Sequence, residues 1–338
     1  MPLTGLNRVF VAQGLKVLAR RGNLGLQQLC DVAGLNTYPT AYHLGFLLGP
    51  RINAGGRIGD ATLGVRLLTC QNVDEAFRIA NKLDLLNQER QRLEAELEQE
   101  ACLQAEAQLA KGATCIVVSS NGWHAGVIGI VAGRLKDKYH RPTFVISFEE
   151  KEGKGSARSV TGLDISALIH EACHLGLLTK GGGHAMAGGI SLEAHALEAF
   201  TTFLQEKTKA FYATGDVAPE IDIDAVLTFQ SLSIATVEAI SKLGPFGVGN
   251  PQPRFLFQRV RVTQPHVFGE KHGRFTLKQP DGSAVEGVAF RCMNGPLEPA
   301  LFAGNGSELW DLVATLQCST WGGRTKLQLM IEDLRPAG

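Results

Sequence analysis

The sequence predicts a chain of mixed class, α/β followed by all-β, and three observations carry that reading. Residues 72–111 contain neither Gly nor Pro; two β-rich runs, 114–119 and 143–148, bracket a helical segment; and strand-like runs dominate from Glu220 onward. At 338 residues the chain can bury more than one core, because domains usually run ~100–200 residues.

Residues 1–66 read as helices and turns punctuated by Gly49, Pro50, Gly55 and Gly56, too short and irregular to close a core alone. The next segment, 67–112, is a long connecting helix. Asp74 and Glu75 lie in its first turn, Leu86, Leu93, Leu97 and Ala101 form a stripe, and Gly112 ends it. At 1.5 Å per residue it spans ~55 Å, a strut between domains, unless it breaks into two helices near Leu86. An α/β domain follows over 113–214. Its β-α-β unit has its helix at 125–139, and after it come a helix at 164–177, a glycine turn at 181–183, a strand at 187–192 and a helix at 194–212, closed by the polar stretch 213–219. In 215–338, strands at 254–262, 274–277, 285–290, 311–317 and 326–331 with one helical segment suit a barrel of the oligonucleotide-binding type or a β-sandwich.

Composition narrows the function classes. With 44% hydrophobic and 20% charged residues the sequence has the balance of a soluble globular protein, and no apolar run approaches the ~20 residues that span a bilayer. The first 22 residues mix charged and apolar side chains without a leader pattern, so the expectation is a cytoplasmic protein without membrane contact. Seven scattered cysteines with no C-x-x-C read as reduced thiols. Net charge is zero, so any charge that binds nucleic acid must be local.

Local charge is dense at 254–278, where six Lys/Arg face the single acid Glu270 and alternate with Phe255, Phe257, Phe268 and Phe275. Cations beside aromatics suit single strands, which offer phosphates and unstacked bases together. Strand alternation puts Phe255, Phe257, Arg259 and Arg261 on one face, free to meet a ligand, and Leu256, Val260 and Val262 on the other. The alternative is that the phenylalanines are core and the arginines a solvated rim. Glycine clusters at 49–57, 181–184 and 244–251 can form anion-binding nests or plain turns, and His184 follows three glycines directly. His124, before Gly126 and Gly129, can donate to a phosphate at a helix start or cap the turn. Ser156, Arg158 and Ser159 suit a terminal phosphate. His170-Glu171-x-x-His174 matches a zinc peptidase helix, but Leu177 and Lys180 stand where the longer form of that motif needs Gly and His.

Taken in order, PLTGLNR at 2–8, GPRINAGGR at 49–57, LLNQERQ at 85–91, GWHAGVIGIVAGRL at 122–135, GSARS at 155–159, GGGHAMAGG at 181–189 and GPFGVGNPQPRF at 244–255 resemble the RecJ family of the DHH phosphoesterase superfamily. The resemblance spans essentially the whole chain. It implies the remnant of a DHH domain at 1–66, the connecting helix, a DHH-associated domain and an oligonucleotide-binding barrel. The activity it implies is 5′ to 3′ removal of nucleotides from single-stranded DNA with Mn²⁺ or Mg²⁺, in recombination and repair. By the same resemblance Arg51 and Arg57 guide the strand, Ser156 and Arg158 hold the 5′ phosphate, and Gly182, Gly183 and His184 face the scissile phosphate. Phe255, Phe257, Arg259 and Arg261 belong to the strand-holding surface.

The family's metal-binding aspartates and Asp-His-His motif precede its Pro-Leu-Thr-Gly segment, which starts here at Pro2. This sequence has no Asp-His-His and no Asp before Asp31. Two-metal hydrolysis needs converging carboxylates. The expectation is therefore a truncated or wrongly started chain with no metal ligands of its own, which binds single-stranded DNA without hydrolysing it. Alternatives are a stand-alone non-catalytic binding module, one that assembles with a separate DHH-containing chain or a single-strand-binding protein, and the zinc peptidase.

Overall fold

The computed structural model describes residues 2–213, 220–293, 295–302, 308–321 and 324–338. Most of the polar stretch expected at 213–219 and the Gly322-Gly323 turn lie outside the described residues. The chain divides into two compact units, Arg21–Pro219 and Met1–Arg20 with Glu220–Gly338. Residues 1–66, read from the sequence as one piece, are therefore shared between units. Helix α1 (Gly5–Ala19) belongs with the C-terminal unit, where Leu3 donates its N–H to the Val248 carbonyl at 2.6 Å and Arg8 donates to the carbonyls of Leu243 and Gly244. The PLTGLNR and GPFGVGNP segments, 240 residues apart, are thus in direct contact; the glycine cluster at 244–251 serves this joint.

The Arg21–Pro219 unit begins with α2 (Leu24–Val32), a π-helix at His43–Leu48, α3 (Gly49–Ile58) and α4 (Thr62–Thr69). The GPRINAGGR cluster is helix α3 rather than a loop nest. Its small residues permit close packing: a Cβ on Gly55 would lie 2.9 Å from the Asp60 carbonyl oxygen and 3.2 Å from Leu83 Cδ2. Helix α5 (Val73–Leu109) runs unbroken for 37 residues, capped by Asn72, whose side chain accepts from the Glu75 N–H. It stays continuous past Leu86.

A five-stranded sheet follows, β1 (Ile116–Asn121), β2 (Thr143–Glu149), β3 (Glu152–Arg158), β4 (Lys180–His184) and β5 (Ala187–Glu193), in the order β1-β2-β3-β5-β4. Only β1 and β2 are parallel, joined through α6 (Ala125–Tyr139). One face packs on α5 and α6 through Leu97, Ala101, Val127, Val131 and Val145. The other packs on α7 (Ile165–His174) and α8 (Leu197–Ala213) through Phe144, Ile146, Ala157, Ile169, Ile190 and Phe200. The sequence reading expects a turn at 181–183, whereas the glycines form β4, because each pairs with β5. The seven cysteines are free, and burial pushes the Cys115 thiol far above its ordinary range.

In the other unit, a short β6 (Ala225–Val226) and α9 (Ile234–Ser241) precede β7 (Phe255–Phe268), β8 (His272–Lys278), β9 (Ala284–Ala289), α10 (Glu298–Phe302), β10 (Trp310–Trp321) and β11 (Arg324–Pro336). Pairings β7-β8-β9-β11-β10, with β10 returning to β7, close a five-stranded barrel over Phe257, Val260, Phe275, Leu277, Leu312 and Leu329. No helix among the described residues is long and apolar enough to cross a membrane.

Candidate nucleic-acid interface

Strand register assembles the site. Across β3, β5 and β4, Ser156 pairs with Gly189, which pairs with Gly182, and Arg158 pairs with Ala187, which pairs with His184. Directly paired residues project to the same side of a sheet, so Ser156, Arg158 and His184 share one face with Gly182 and Gly189 between them. On the opposite face a Cβ at Gly181 or Gly188 would lie 2.5 or 2.3 Å from Ile169, so α7 packs directly on bare backbone. On the site face a Cβ at Gly182 would meet nothing within 4 Å, which leaves an open floor of backbone. Gly183 tolerates no side chain, since its Cβ would fall 2.3 Å from the Ala187 carbonyl oxygen. Lys154 and Lys180, both exposed, flank Ser191 on the same face one pair further along. Sequence reasoning missed these two lysines, because nothing local relates residues 26 apart.

The start of α6 closes one side of the floor. His124 is its N-cap, and its Nδ1 accepts the Gly126 N–H at 3.0 Å. That acceptor role leaves the ring proton on Nε2, which stays available as a donor at the exposed end of the ring. Arg57, at the end of α3, donates from Nη1 to the Gly126 carbonyl at 3.0 Å. Only glycine fits at 126, where a Cβ would lie 2.1 Å from the Arg57 carbonyl oxygen. A Cβ on Gly129 would lie 3.0 Å from Ser156 Oγ and 3.1 Å from Arg158 Nη2, so β3 and α6 touch at the functional groups themselves.

The electrostatics favour an anion. Arg158 donates from Nη1 to Ser156 Oγ at 3.1 Å and to the Ala157 carbonyl at 2.7 Å. Burial lowers its proton affinity below that of an ordinary guanidinium, and the nearby charge of Arg57 lowers it further. Beneath them, α5 buries Asn87, Arg90 and Glu94. Glu94 accepts from Arg90 and pairs with Arg134 of α6, which also pairs with Glu98, while Arg90 Nη2 donates to Asn87 at 3.0 Å. Burial depresses Arg90's proton affinity, partly offset by Glu94 and reinforced by Arg134 and Arg57. Glu94 and Glu98 thus balance Arg90 and Arg134, and among the described residues Arg57 and Arg158 have no acidic partner beside the glycine floor.

Comparison with known proteins places the chain in a family. Residues 112–210 match the DHHA1 domain model and residues 223–333 the RecJ OB domain model. The chain is 33% identical to the single-stranded-DNA-specific exonuclease RecJ of Dickeya dadantii, covering 99% of this chain and 59% of that protein. It is 32% identical to the Bacillus subtilis protein of the same name, covering 98% of this chain and 42% of the relative. The chain belongs to the RecJ family. The crystal structure of Thermus thermophilus RecJ in complex with Mn²⁺ has a TM-score of 0.83 to it at 28% identity, covering 100% of this chain and 48% of that one. The complex with Mg²⁺ gives 0.84 at 27% identity, covering 100% and 50%. The RecJ-family chain therefore spans about half the length of the relatives it matches.

Other residues expected to act in the RecJ-family chain fall into place differently. Arg51 is half-buried, donating from Nε to Asp84 at 2.8 Å and from Nη1 to the Leu47 carbonyl at 2.7 Å, so it ties α3 to α5. Phe255 and Phe257 are buried in the barrel at 8% and 0% exposure and offer no ring to a ligand. The expected single Phe/Arg face is broken by a bulge opposite Trp310–Leu312, with Arg259 at φ 54°, which resets the alternation. Val260 and Val262 then join the phenylalanines inside, while Arg259 and Arg261 stay exposed. Glu171 of the zinc-peptidase motif is paired with Lys207 at 2.6 Å, and no group of three metal-ligating side chains occurs among the described residues.

Mn²⁺ and Mg²⁺ prefer oxygen ligands, carboxylates above all. The donor set around the glycine floor is Arg57, Arg158, Ser156, His124 and His184, which is cationic or neutral and does not fit a divalent ion.

Proposed function

We propose that this chain supplies the strand-holding part of a RecJ single-stranded-DNA exonuclease acting 5′ to 3′ in recombination and repair. The observation that carries this reading is the register that lines Ser156, Arg158 and His184 along a side-chain-free floor. A phosphodiester backbone can lie close against Gly182, Gly183 and Gly189. A terminal phosphate would take a charge-assisted hydrogen bond from Arg158, a hydroxyl bond from Ser156 and the field of Arg57. His184 stands two strands away, ~9–10 Å at ordinary strand spacing, which suits a group facing the next phosphate rather than the terminal one. Lys154 and Lys180 extend the cationic track, and Arg259 and Arg261 provide exposed cations on the barrel unit.

Since the donor set does not fit Mn²⁺ or Mg²⁺, we infer that the metal ligands lie outside the described residues, in the same polypeptide or in a separate DHH-containing chain. The 338-residue chain alone then binds single-stranded DNA and leaves it intact. A single-strand-binding protein is a further partner that the resemblance suggests, and a cytoplasmic location accords with this role.

Fluorescence anisotropy of 5′-phosphorylated and 5′-hydroxyl oligonucleotides over a salt series tests the reading. The phosphorylated end binds more tightly, and Arg158→Ala removes the preference and reduces the log–log salt slope by about 1. Equal affinity for the two ends in the parent chain would sink the phosphate site. Nucleotide release by the purified chain with Mn²⁺, lost in His184→Ala, would overturn the non-hydrolytic half.

A further inference from the structure

The barrel's buried phenylalanines leave open which of its rings meet bases, and the tip of the β7–β8 hairpin answers that. Phe268 ends β7 and pairs with His272, the first residue of β8, across the turn Gly269-Glu270-Lys271. The two rings lie 5.3 Å apart between centroids. Phe290, just beyond β9 and 60% exposed, completes the cluster at 5.0 Å from His272 and 6.3 Å from Phe268. Arg274 lies over the Phe268 ring at 5.4 Å. The Arg291 N–H donates to His272 Nδ1 at 2.9 Å, which fixes the imidazole plane and places its ring proton on Nε2.

Three rings from a hairpin tip and a neighbouring strand end, held together at an exposed edge, are costly to leave in water unless something covers them. Their surroundings choose the occupant. Lys271, Arg274 and Arg291 are exposed beside the cluster, against Glu270 and a Glu286 that shares itself between Arg274 at 3.8 Å and Gln328. Beside Arg274, a trough of about 380 Å³ lined by Gln264, His266, Arg274, Thr276, Val285 and Glu286 runs along β7, β8 and β9. Further along that face stand Lys278 and Arg261, paired in register. Aromatic faces followed by a groove with Arg274 and polar side chains, whose acid Glu286 is engaged by Arg274 and Gln328, match a chain of phosphates with splayed bases.

We propose that Phe268, His272 and Phe290 form a base-stacking subsite for single-stranded nucleic acid, from which the strand runs along the trough towards Lys278 and Arg261. This rests on the strand-holding reading above and moves base contact from Phe255 and Phe257 to the hairpin tip. Phe290 is the most exposed ring and takes the base face; Phe268 and His272 brace it edge-on. Arg274 bridges ring and phosphate.

The test uses the 338-residue chain and oligothymidylates carrying 2-aminopurine at successive positions, whose fluorescence is quenched on stacking. In the parent chain some positions are quenched on binding, and a duplex of the same sequence shows no such change. Phe290→Ala weakens binding about tenfold and removes the quenching while leaving the salt slope unchanged, because a stacked base and not a phosphate contact is lost. Phe290→Trp restores both. Phe268→Leu, which keeps apolar bulk beneath the surface, weakens binding in the same direction, and an unchanged melting temperature for each variant excludes unfolding. Steep salt-dependent binding that is indifferent to Phe290→Ala and Phe268→Leu would overturn the subsite but leave the strand-holding reading intact. Absence of any salt-dependent oligonucleotide binding by the parent chain would overturn both.

Discussion

Replacing Gly129 by Ala separates the phosphate site from the stability of the unit that carries it. Gly129 is the fifth residue of α6, a helix-interior position where Ala is favoured over Gly by ~1 kcal/mol. The new methyl would lie 3.0 Å from Ser156 Oγ and 3.1 Å from Arg158 Nη2, a few tenths of an ångström inside ordinary contact. Both atoms are ends of side chains, so they yield before the helix does. The Arg158–Ser156 hydrogen bond at 3.1 Å is the first geometry to be lost. Displacing one charge-assisted hydrogen bond to an anion costs ~1.5–3 kcal/mol, or about 10- to 100-fold in affinity. Gly129→Ala therefore keeps the melting temperature or raises it by ~2–4 °C, the shift expected from ~1 kcal/mol in a unit of this size. Its preference for a 5′-phosphorylated oligonucleotide collapses at the same time. Scanning fluorimetry and anisotropy on the same samples give both readings. A variant that keeps the parent's phosphate preference would refute the placement of the anion between α6 and β3. A variant that melts several degrees lower would refute the argument that side chains move first.

Three further outcomes follow from the packing. Glu94→Ala leaves Arg90 and Arg134 without their buried acceptor and costs ~3–5 kcal/mol, whereas Glu96→Ala, which breaks only exposed pairing to Arg92, costs ~0–1 kcal/mol; urea midpoints of the two variants read the difference. Phe257→Ala empties a fully buried barrel position and destabilises by ~3–5 kcal/mol, while Arg261→Ala at an exposed position of the same strand leaves the melting temperature within a degree or two and lowers the salt slope of DNA binding. Asp164 caps α7, and hydrogen bonds from the Ser166 hydroxyl and the Ala167 amide hold its carboxyl below the usual carboxylate range. Its stabilisation is thus present above about pH 4 and lost as pH falls through the depressed folded value, so the melting-temperature gap between the parent and Asp164→Asn narrows in acid. A gap independent of pH from 5 to 2 would show that the charge plays no part.

Local rules made much of the architecture readable from the residues. The acidic first turn at Asp74 and Glu75 and the absence of Gly and Pro up to Lys111 specify α5, because helix formation depends on neighbours within four residues. Apolar alternation located five barrel strands, and the ordered motifs identified the family. The same local rules failed where glycine served packing instead of turning. GPRINAGGR became α3 and GGGH became β4, since a residue without Cβ fits wherever another element presses close, and its sequence does not say which.

The sequence by itself determined most of the elements, the family and the residue types available for holding phosphate. Only the tertiary structure decided which of them meet. Ser156, Arg158, Gly182 and His184 share a face because β3, β5 and β4 pair in one register, and a slip by one residue would turn each side chain to the α7 side. Phe257 and Val260 both point inward because a bulge at Arg259 shifts the alternation that a straight strand would keep. Phe268, His272 and Phe290 meet because a hairpin and a neighbouring strand end bring together residues up to 22 apart. Register, bulge and closure are properties of long-range pairing, set by which hydrophobic faces can be buried together, and no short stretch of sequence contains that information.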